Sequence, residues 1–352
     1  MRLPKLRIDN LTADIPIIQG GMAVGISLSN LASAVANEGG IGVIGTAGIG
    51  MTEPDFSENF LSANIRALRK EIRKAREKTK GIIGVNIMVA LTNFSDMVRT
   101  AIEEKIDIIF SGAGLPLDLP KYLTKESITK LVPIVSSGRA FKIIARSWIE
   151  KFQYIPPAVV VEGPLAGGHL GFKREELEDP KSALEERLKE VVNEVRILEE
   201  KYNRKISIIA GGGIYTKEDI EKFINLGADG VQMATRFVAT EECDADDNFK
   251  KAYIDAKKED IIIIKSPVGL PGRAIKNEFL EAVERGEKKP FTCPFHCIKT
   301  CDYQNSPYCI AIALLNAKKG NLKNGFAFAG ANAYRIDKIV RVKDLIGDLV
   351  DY

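Results

Sequence analysis

The stretch Ile206-Ser207-Ile208-Ile209-Ala210-Gly211-Gly212-Gly213-Ile214-Tyr215-Thr216-Lys217-Glu218-Asp219 reads as three things in succession. Its apolar, β-branched start is a strand buried on both faces, as parallel strands are. Three glycines then make a turn that lets backbone N–H groups approach a ligand closely. Thr216 with Asp219 three positions on marks the start of a helix. Strand, turn and helix in this order form one unit of an α/β fold.

Working outward, the unit recurs. Apolar runs stand at Ile15–Ile18, Ile41–Ile44, Ile82–Met88, Ile106–Phe110, Leu131–Val135, Ala158–Val161, Ile206–Ala210 and Gly230–Met233. Between them lie helical patterns such as Ser29–Glu38, Asn93–Glu104, Arg139–Lys151, Ser182–Tyr202 and Lys217–Leu226. Eight such units in series predict a (β/α)8 TIM barrel, with an open doubly wound sheet as the alternative. The count of eight and the glycines after several strands favour the barrel. After Arg236 the pattern changes to short helices, Pro/Gly breaks and most of the cysteines. The chain therefore divides into a barrel over 1–240, an appended lid lobe over 241–324 and a closing segment over 325–352. In the last of these, Ile336 to Val350 reads as a helix that packs back.

Composition excludes several classes of function. The 352 residues are 45% hydrophobic and 28% charged, with a net charge of +3, enough apolar surface for a large core and too little charge imbalance for a nucleic-acid partner. A basic run from Arg66 to Lys80 looks like an exception. Ile65, Leu68 and Ile72 fall on one face of it, so it reads as the solvated side of an amphipathic helix. The first residues lack the apolar core of a signal peptide, and nothing approaches the roughly 20 apolar residues that span a bilayer. The expectation is a cytoplasmic protein with no membrane partner, reduced thiols and a small-molecule substrate; oligomerisation stays open.

The active site of such a barrel is built from loops at the strand C-termini. Those positions are Gln19-Gly20-Gly21-Met22, Gly45 to Gly48, Asn86, Ser111 to Gly114, Ser136 to Gly138, Glu162 to Gly171, Gly211-Gly212-Gly213 and Gln232-Met233-Ala234-Thr235-Arg236. The turns after strands seven and eight suit a phosphate, with Thr235 adding a hydroxyl. His169, one of two histidines, stands among Gly167, Gly168 and Gly171, where an imidazole can move a proton. Glu162 is either a partner in the site or a cap.

Together these segments resemble the nitronate monooxygenase family, formerly 2-nitropropane dioxygenases, which is related to the flavin-dependent enoyl-acyl-carrier-protein reductases. The matching pieces are Pro16 to Met22, Gly84-Val85-Asn86, Glu162-Gly163 with Ala166 to His169, Gly227 to Met233, and Arg273 to Asn277. The resemblance implies FMN, held by the turns after strands seven and eight. It implies flavin contacts from Gln19, Met22 and Asn86, and a catalytic imidazole at His169. The cofactor-binding set is then Gln19, Gly20, Gly21, Met22, Asn86, Glu162, Gly167, Gly168, Gly211, Gly212, Gly213, Gln232, Met233, Ala234 and Thr235. Departures from the family's pattern are Leu165, where relatives often carry Glu, Ala234 for a usual Gly, and Ala329-Gly330-Ala331, which lacks a following Gln.

Two activities share these motifs. One is oxidation of alkyl nitronates with oxygen. The other is an NAD(P)H-dependent flavin reductase acting on an enoyl thioester or a quinone. A third, non-enzymatic reading is a flavin-binding electron-transfer or sensor module. Four of five cysteines, Cys293, Cys297, Cys301 and Cys309, crowd beside His296. The preferred reading is unligated thiols in a compact lobe, hence no metal; an iron–sulfur cluster or zinc is the alternative. If Cys293 to Cys301 were one helix, which Pro294 in its first turn permits, the first three thiols would form one stripe.

Overall fold

The structure is a computed structural model describing residues 3–287, 293 and 295–350. It opens with a hairpin of β1 (Leu6–Ile8) and β2 (Leu11–Ala13). The barrel strands are β3 (Ile17–Gln19), β4 (Ile41–Gly45), β5 (Ile82–Met88), β6 (Ile108–Gly112), β7 (Lys130–Val135), β8 (Ala158–Glu162), β10 (Ser207–Gly211) and β11 (Gly230–Met233). They close in the order β10-β11-β3-β4-β5-β6-β7-β8, all parallel, as the eight apolar runs predict. Some strands start later than their apolar runs. Ile15 and Ile106 are already buried while their N–H groups bond to Gly39 and Ala101 rather than to a neighbouring strand.

Both faces of the strands are buried, which is why the runs are continuous rather than alternating. Ile18, Ile41, Val43, Ile108, Phe110, Val132, Val160 and Ile209 fill the interior together with Leu6, Ile8 and Ala13 of the hairpin. Gly84 makes room for Phe110: a Cβ there would lie 2.8 Å from the ring. The hairpin closes the end at which the strands begin. Leu6 lies against Gly230, Ser207 Oγ donates to Arg7 O, and Asp9 pairs with Lys130 at 2.7 Å. The end at which the strands finish is left for chemistry.

Helices α1 (Ser29–Asn37), α2 (Phe60–Lys78), α3 (Phe94–Glu103), α4 (Gly138–Phe152), α5 (Leu184–Tyr202) and α6 (Lys217–Asn225) follow their strands. The Thr216 signature forms a capping box with Asp219, and Ser137 caps α4 by accepting from Ala140 N. Each such cap contributes about 1 kcal/mol. The basic run lies on α2. Arg66, Arg69, Arg73 and Arg76 pair with Glu53, Asp55, Glu103, Glu104 and Asp107, so their charge is compensated locally.

Beyond β11 come α7 (Thr235–Val238) and α8 (Asp247–Asp255), then β12 (Ile261–Lys265) and β13 (Pro271–Ile275). The short helices α9 (Glu278–Glu284) and α10 (Ile310–Lys318) follow. The two strands form a sheet in the order β12-β13-β9, where β9 is Gly168–His169 from the loop after β8. This sheet was absent from the sequence reading. The closing helix is shorter than expected: α11 spans Val342–Val350, while Ile336 to Arg341 is irregular and Val340 bridges to Thr240. It does pack back, against α1, α6 and α7. No helix among the described residues is long and apolar enough to cross a membrane.

The weakest seam of the barrel lies between β3 and β4, which share the single register pair Ile18↔Ile41. Gln19 reinforces it. Its side chain is wholly buried, with Oε1 accepting from Val43 N at 3.0 Å and Nε2 donating to Gly20 O. A side-chain amide thus stands in for a missing ladder bond. Gly45 N donates to Ser27 O across the same seam. Replacing Gln19 by Leu leaves a buried N–H unpaired, which costs about 1–3 kcal/mol. A lowered urea midpoint in Gln19→Leu is the expected result; an unchanged midpoint would show that the seam does not need the amide.

Candidate functional site

The residues at the strand ends form one connected rim. Gln19 and Met233 are paired in register and both are buried, so they form its floor. Gly20 N donates to Met233 O at 2.8 Å, and a Cβ on Gly20 would lie 3.3 Å from the Gln232 side chain. Gln232 pairs in register with Gly211. Gly21 abuts Asn86, whose Cβ would be 2.5 Å from an added one, so only glycine fits there. The carboxamides of Asn86 and Gln232 have no hydrogen-bond partner among the described residues. In Gln19 the carboxamide oxygen is committed to the seam and the nitrogen to Gly20 O. The Gln19 of the flavin-contact expectation therefore serves barrel closure with its side chain, and Asn86 and Gln232 are the free polar groups beside it.

The chain after β3 is strained. Val24 has φ +55°, a conformation unfavourable for a β-branched residue. Its N–H donates to Ala47 O, and Met22 N donates to Ser27 Oγ, so a folded-back loop presents Met22 at the rim.

Glycines after β10 are required by geometry. Gly212 and Gly213 have φ of +100° and +83°. A Cβ on Gly212 would meet Gly163 O at 2.9 Å. The N–H groups of Gly212, Gly213, Ala234 and Thr235 donate to no acceptor among the described residues. Thr235 Oγ1 accepts from Gly330 N at 3.0 Å, which leaves its own proton to donate. These four amides and one hydroxyl make an anion cradle between the turns after β10 and β11.

The loop after β8 carries the imidazole. Gly163 N donates to Gly211 O at 2.8 Å. The buried Arg273 on β13 donates to Pro164 O and Ala166 O, both at 2.6 Å, and fixes the bend. Gly167 presses on Ala329 and Gly330, whereas Gly168, at φ +78°, faces open space. His169 then pairs with Gly272. Its Nε2 lies 2.7 Å from Ser266 Oγ, and its ring stands edge-on to Phe328 with centroids 4.9 Å apart. Burial lowers its pKa to about 4, so the imidazole is neutral at physiological pH. Burial has the opposite effect on Glu162, raising its carboxyl to about 7. Glu162 is aligned with Gly211 and has no hydrogen-bond partner among the described residues. Arg273 has no carboxylate partner among them either, and burial lowers its pKa to about 10.

Ser266, Phe328 and the anchoring role of Arg273 were missed in the sequence. Ser266 lies 97 residues from His169 in the chain, and no local pattern links them. Arg273 was noted as part of a motif, but its contact with the Pro164 loop has no sequence signature.

The four crowded cysteines are neither a helix nor a stripe. Phe295 to Cys297 is irregular, and His296 has φ +44°; Pro294, which the helical reading invoked, lies outside the described residues. The four thiols line one cavity, and burial, with the neighbouring Cys309, Cys293 and Cys301, raises Cys297 to about 12. Cys243 stands apart, its Sγ donating to Ile26 O at 3.4 Å.

Comparisons with known proteins agree with this arrangement. The family model described as nitronate monooxygenase matches residues 5–351. A probable nitronate monooxygenase of Staphylococcus aureus is 25% identical over 303 residues, covering 79% of each chain. Among solved structures, FabK from Thermotoga maritima is 30% identical with a TM-score of 0.71, covering 96% of this chain and 92% of its own. A nitroalkane oxidase from Streptomyces ansochromogenes has a TM-score of 0.72 at 20% identity, covering 96% and 95%, and shares the fold. With the motifs in order along the barrel rim, the chain belongs to the nitronate monooxygenase family of oxidoreductases.

Proposed function

We propose that this chain binds FMN at the open mouth of the barrel and oxidises an alkyl nitronate with oxygen. The residues present fit the cofactor. The unpaired amides of Gly212, Gly213, Ala234 and Thr235 suit its phosphate. Gly20, Gly21 and Gly211 bring the backbone close to a flat ring, and the free carboxamides of Asn86 and Gln232 offer donors and acceptors to its polar edge. When bound, the flavin supplies the electron transfer between substrate and oxygen. On the same reading the barrel covers 1–240, with 241–324 as a lid and 325–352 closing behind it.

The observation that carries the nitronate reading is the company His169 keeps. A neutral imidazole and a buried guanidinium without a carboxylate partner stand on adjacent register positions, His169↔Gly272 and Gly168↔Arg273. Successive positions of the ladder face opposite sides of the sheet, so the guanidinium holds the Pro164 bend while the neutral imidazole is the donor left for a substrate oxygen. A nitronate oxygen is an anionic acceptor. It arrives already deprotonated, so His169 need not act as a base. Instead it holds an N–H toward a substrate oxygen. Val268 N already donates to Ser266 Oγ, so the serine proton is free to point at Nε2 and leave the other ring nitrogen protonated. Phe328 stands edge-on to the ring and limits its freedom.

A second reading is an NAD(P)H-dependent reductase of an enoyl thioester or quinone. The likeness to FabK over nearly the whole chain favours it. An anaerobic absorbance titration separates the two. Bleaching of the flavin by a nitronate, with no response to NADH or NADPH, is the expected result. Rapid bleaching by a nicotinamide would overturn the nitronate reading in favour of the reductase.

The site also predicts a pH profile. His169 stays neutral above about 4 and contributes no limb between pH 5 and 8. Glu162 loses its proton as pH rises through about 7, adding negative charge beside the anion site. Turnover of an anionic nitronate therefore falls above neutrality in the native chain, and Glu162→Gln, fixed in the neutral form, removes that fall. Replacing His169 by Ala lowers kcat/KM about 100- to 1000-fold, the usual loss for one oxyanion donor, while Asn at this position restores part of it. An alkaline limb that persists in Glu162→Gln, or full activity in His169→Ala, would contradict these roles.

A further inference from the structure

The thiols that read from the sequence as unligated, with an iron–sulfur cluster or zinc as the alternative, line one cavity. It has a volume of about 180 Å³, and its lining includes Cys293, Cys297, Cys301 and Cys309. One bound water needs only roughly 10–15 Å³ on this measure, so the space is far larger than a single ion or water fills. Ile298, Ile310 and Tyr303 add apolar wall, and Thr92, His296 and Lys299 complete the lining.

We propose that these four cysteines bind a four-iron iron–sulfur cluster. The geometry separates this from a zinc site. One zinc ion holds thiolates at about 2.3 Å, which draws four sulfurs to within roughly 3.8 Å of one another. No three His, Cys, Asp or Glu side chains among the described residues stand close enough to hold one ion. In a four-iron cluster each thiolate binds its own iron, so the sulfurs enclose a body instead of a point. That is the arrangement seen: four thiols around a void.

Local structure prepares two of the sulfurs for negative charge. The left-handed turn at His296 aims its N–H at Cys293 Sγ, 3.4 Å away. Hydrogen bonds of this kind to a ligating sulfur tune a cluster's potential. Cys309 is the N-cap of the nine-residue α10, where the N–H groups of Ala311 and Ile312 favour a thiolate against the burial that pushes this thiol up. His296 itself is exposed, and its ring stands edge-on to Tyr303 at the margin of the cavity.

The segment is also fixed in place on the barrel. Thr92 N donates to Cys297 O at 3.1 Å, Lys299 N donates to Ala90 O at 2.9 Å, and Leu91 bridges to Ile298. These partners are in the loop that follows β5, the strand carrying Asn86. Phe295 packs on Phe56 with ring centroids 4.6 Å apart, in a cluster that includes Val24 of the β3 loop. The cavity thus opens on the same end of the barrel as the rim. A one-electron centre there would adjoin the proposed flavin site; that consequence rests on the flavin reading, whereas the binding of a cluster does not.

The test uses the full-length chain, purified without oxygen and supplied with ferric iron, sulfide and a thiol reductant that delivers the two electrons the cluster's mixed-valence state needs. About four iron and four acid-labile sulfide per chain are expected, with a paramagnetic resonance signal appearing on reduction. The single variants Cys297→Ser and Cys309→Ser lose the cluster signal, and Cys243→Ser keeps it. Circular dichroism of each variant distinguishes a lost ligand from a lost fold. A variant that unfolds is replaced in the test by the native chain's iron and sulfide content, which does not depend on mutation. Zinc bound without sulfide, two iron per chain, no uptake, or an undiminished signal in folded Cys297→Ser and Cys309→Ser would each overturn the proposal. Flavin content, read separately on the same samples, keeps this outcome distinct from failure of the flavin reading.

Discussion

The carboxamide of Gln19 holds together the seam on which the rest of the site depends. A barrel tolerates no gap, because an unpaired N–H or C=O in its wall is shielded from the water that would satisfy it. Between β3 and β4 the ladder is one register pair long, and the side chain of Gln19 continues it to Val43. Continuation by a side chain, not by main chain, lets the backbone depart early. Gly20 and Gly21 can then fold across the mouth toward Gln232 and Asn86. The site exists because the strand stops short and the barrel still closes.

The same economy operates across the rim. Gly212 and Gly167 are pressed against other loops, and Gly21 against the strand residues Asn86 and Val43, so closely that a side chain would force them apart. Their absent Cβ atoms allow the turns after β3, β8 and β10 to converge. Convergence leaves a few amides unpaired and a few carboxamides free, and those are the groups a ligand can use. The chain after β11 contributes rigidity from outside the barrel. Arg273 clamps the Pro164–Ala166 bend, and β13 extends it into a sheet that carries His169. The imidazole is therefore held by strand pairing, by Ser266 and by Phe328, which leaves its ring little freedom.

The barrel was legible in the sequence because its physics is local. Strands buried on both faces must be apolar throughout, glycines must sit where the chain turns left-handed, and Thr216 with Asp219 must cap a helix. Each of these shows in a window of a few residues. The role of Gln19 was not legible, since a glutamine type does not reveal whether its amide faces a ligand or a neighbouring strand. Ser266 and Arg273 act on a loop about a hundred positions earlier, a relation that only folding creates. β9 is two residues long and glycine-rich, so it carries no period to detect. Ile261 to Ile264 is apolar enough for a strand, but its partner lies across a turn in a region read as helical. The cysteines posed the reverse problem. Their crowding was plain, but regular spacing suggested a helical stripe, whereas an irregular loop and the N-cap of α10 bring them around one cavity.

The central claim is that an anion-binding cradle between the turns after β10 and β11 fixes a phosphorylated flavin at the mouth. Comparing the affinities of FMN and riboflavin for the flavin-stripped chain tests it most directly. The two ligands differ only in the phosphate, and each charge-assisted hydrogen bond to it contributes about 1.5–3 kcal/mol. The account predicts one FMN per chain, bound at least about 100-fold more tightly than riboflavin. Equal affinities, or no binding of either, would contradict it.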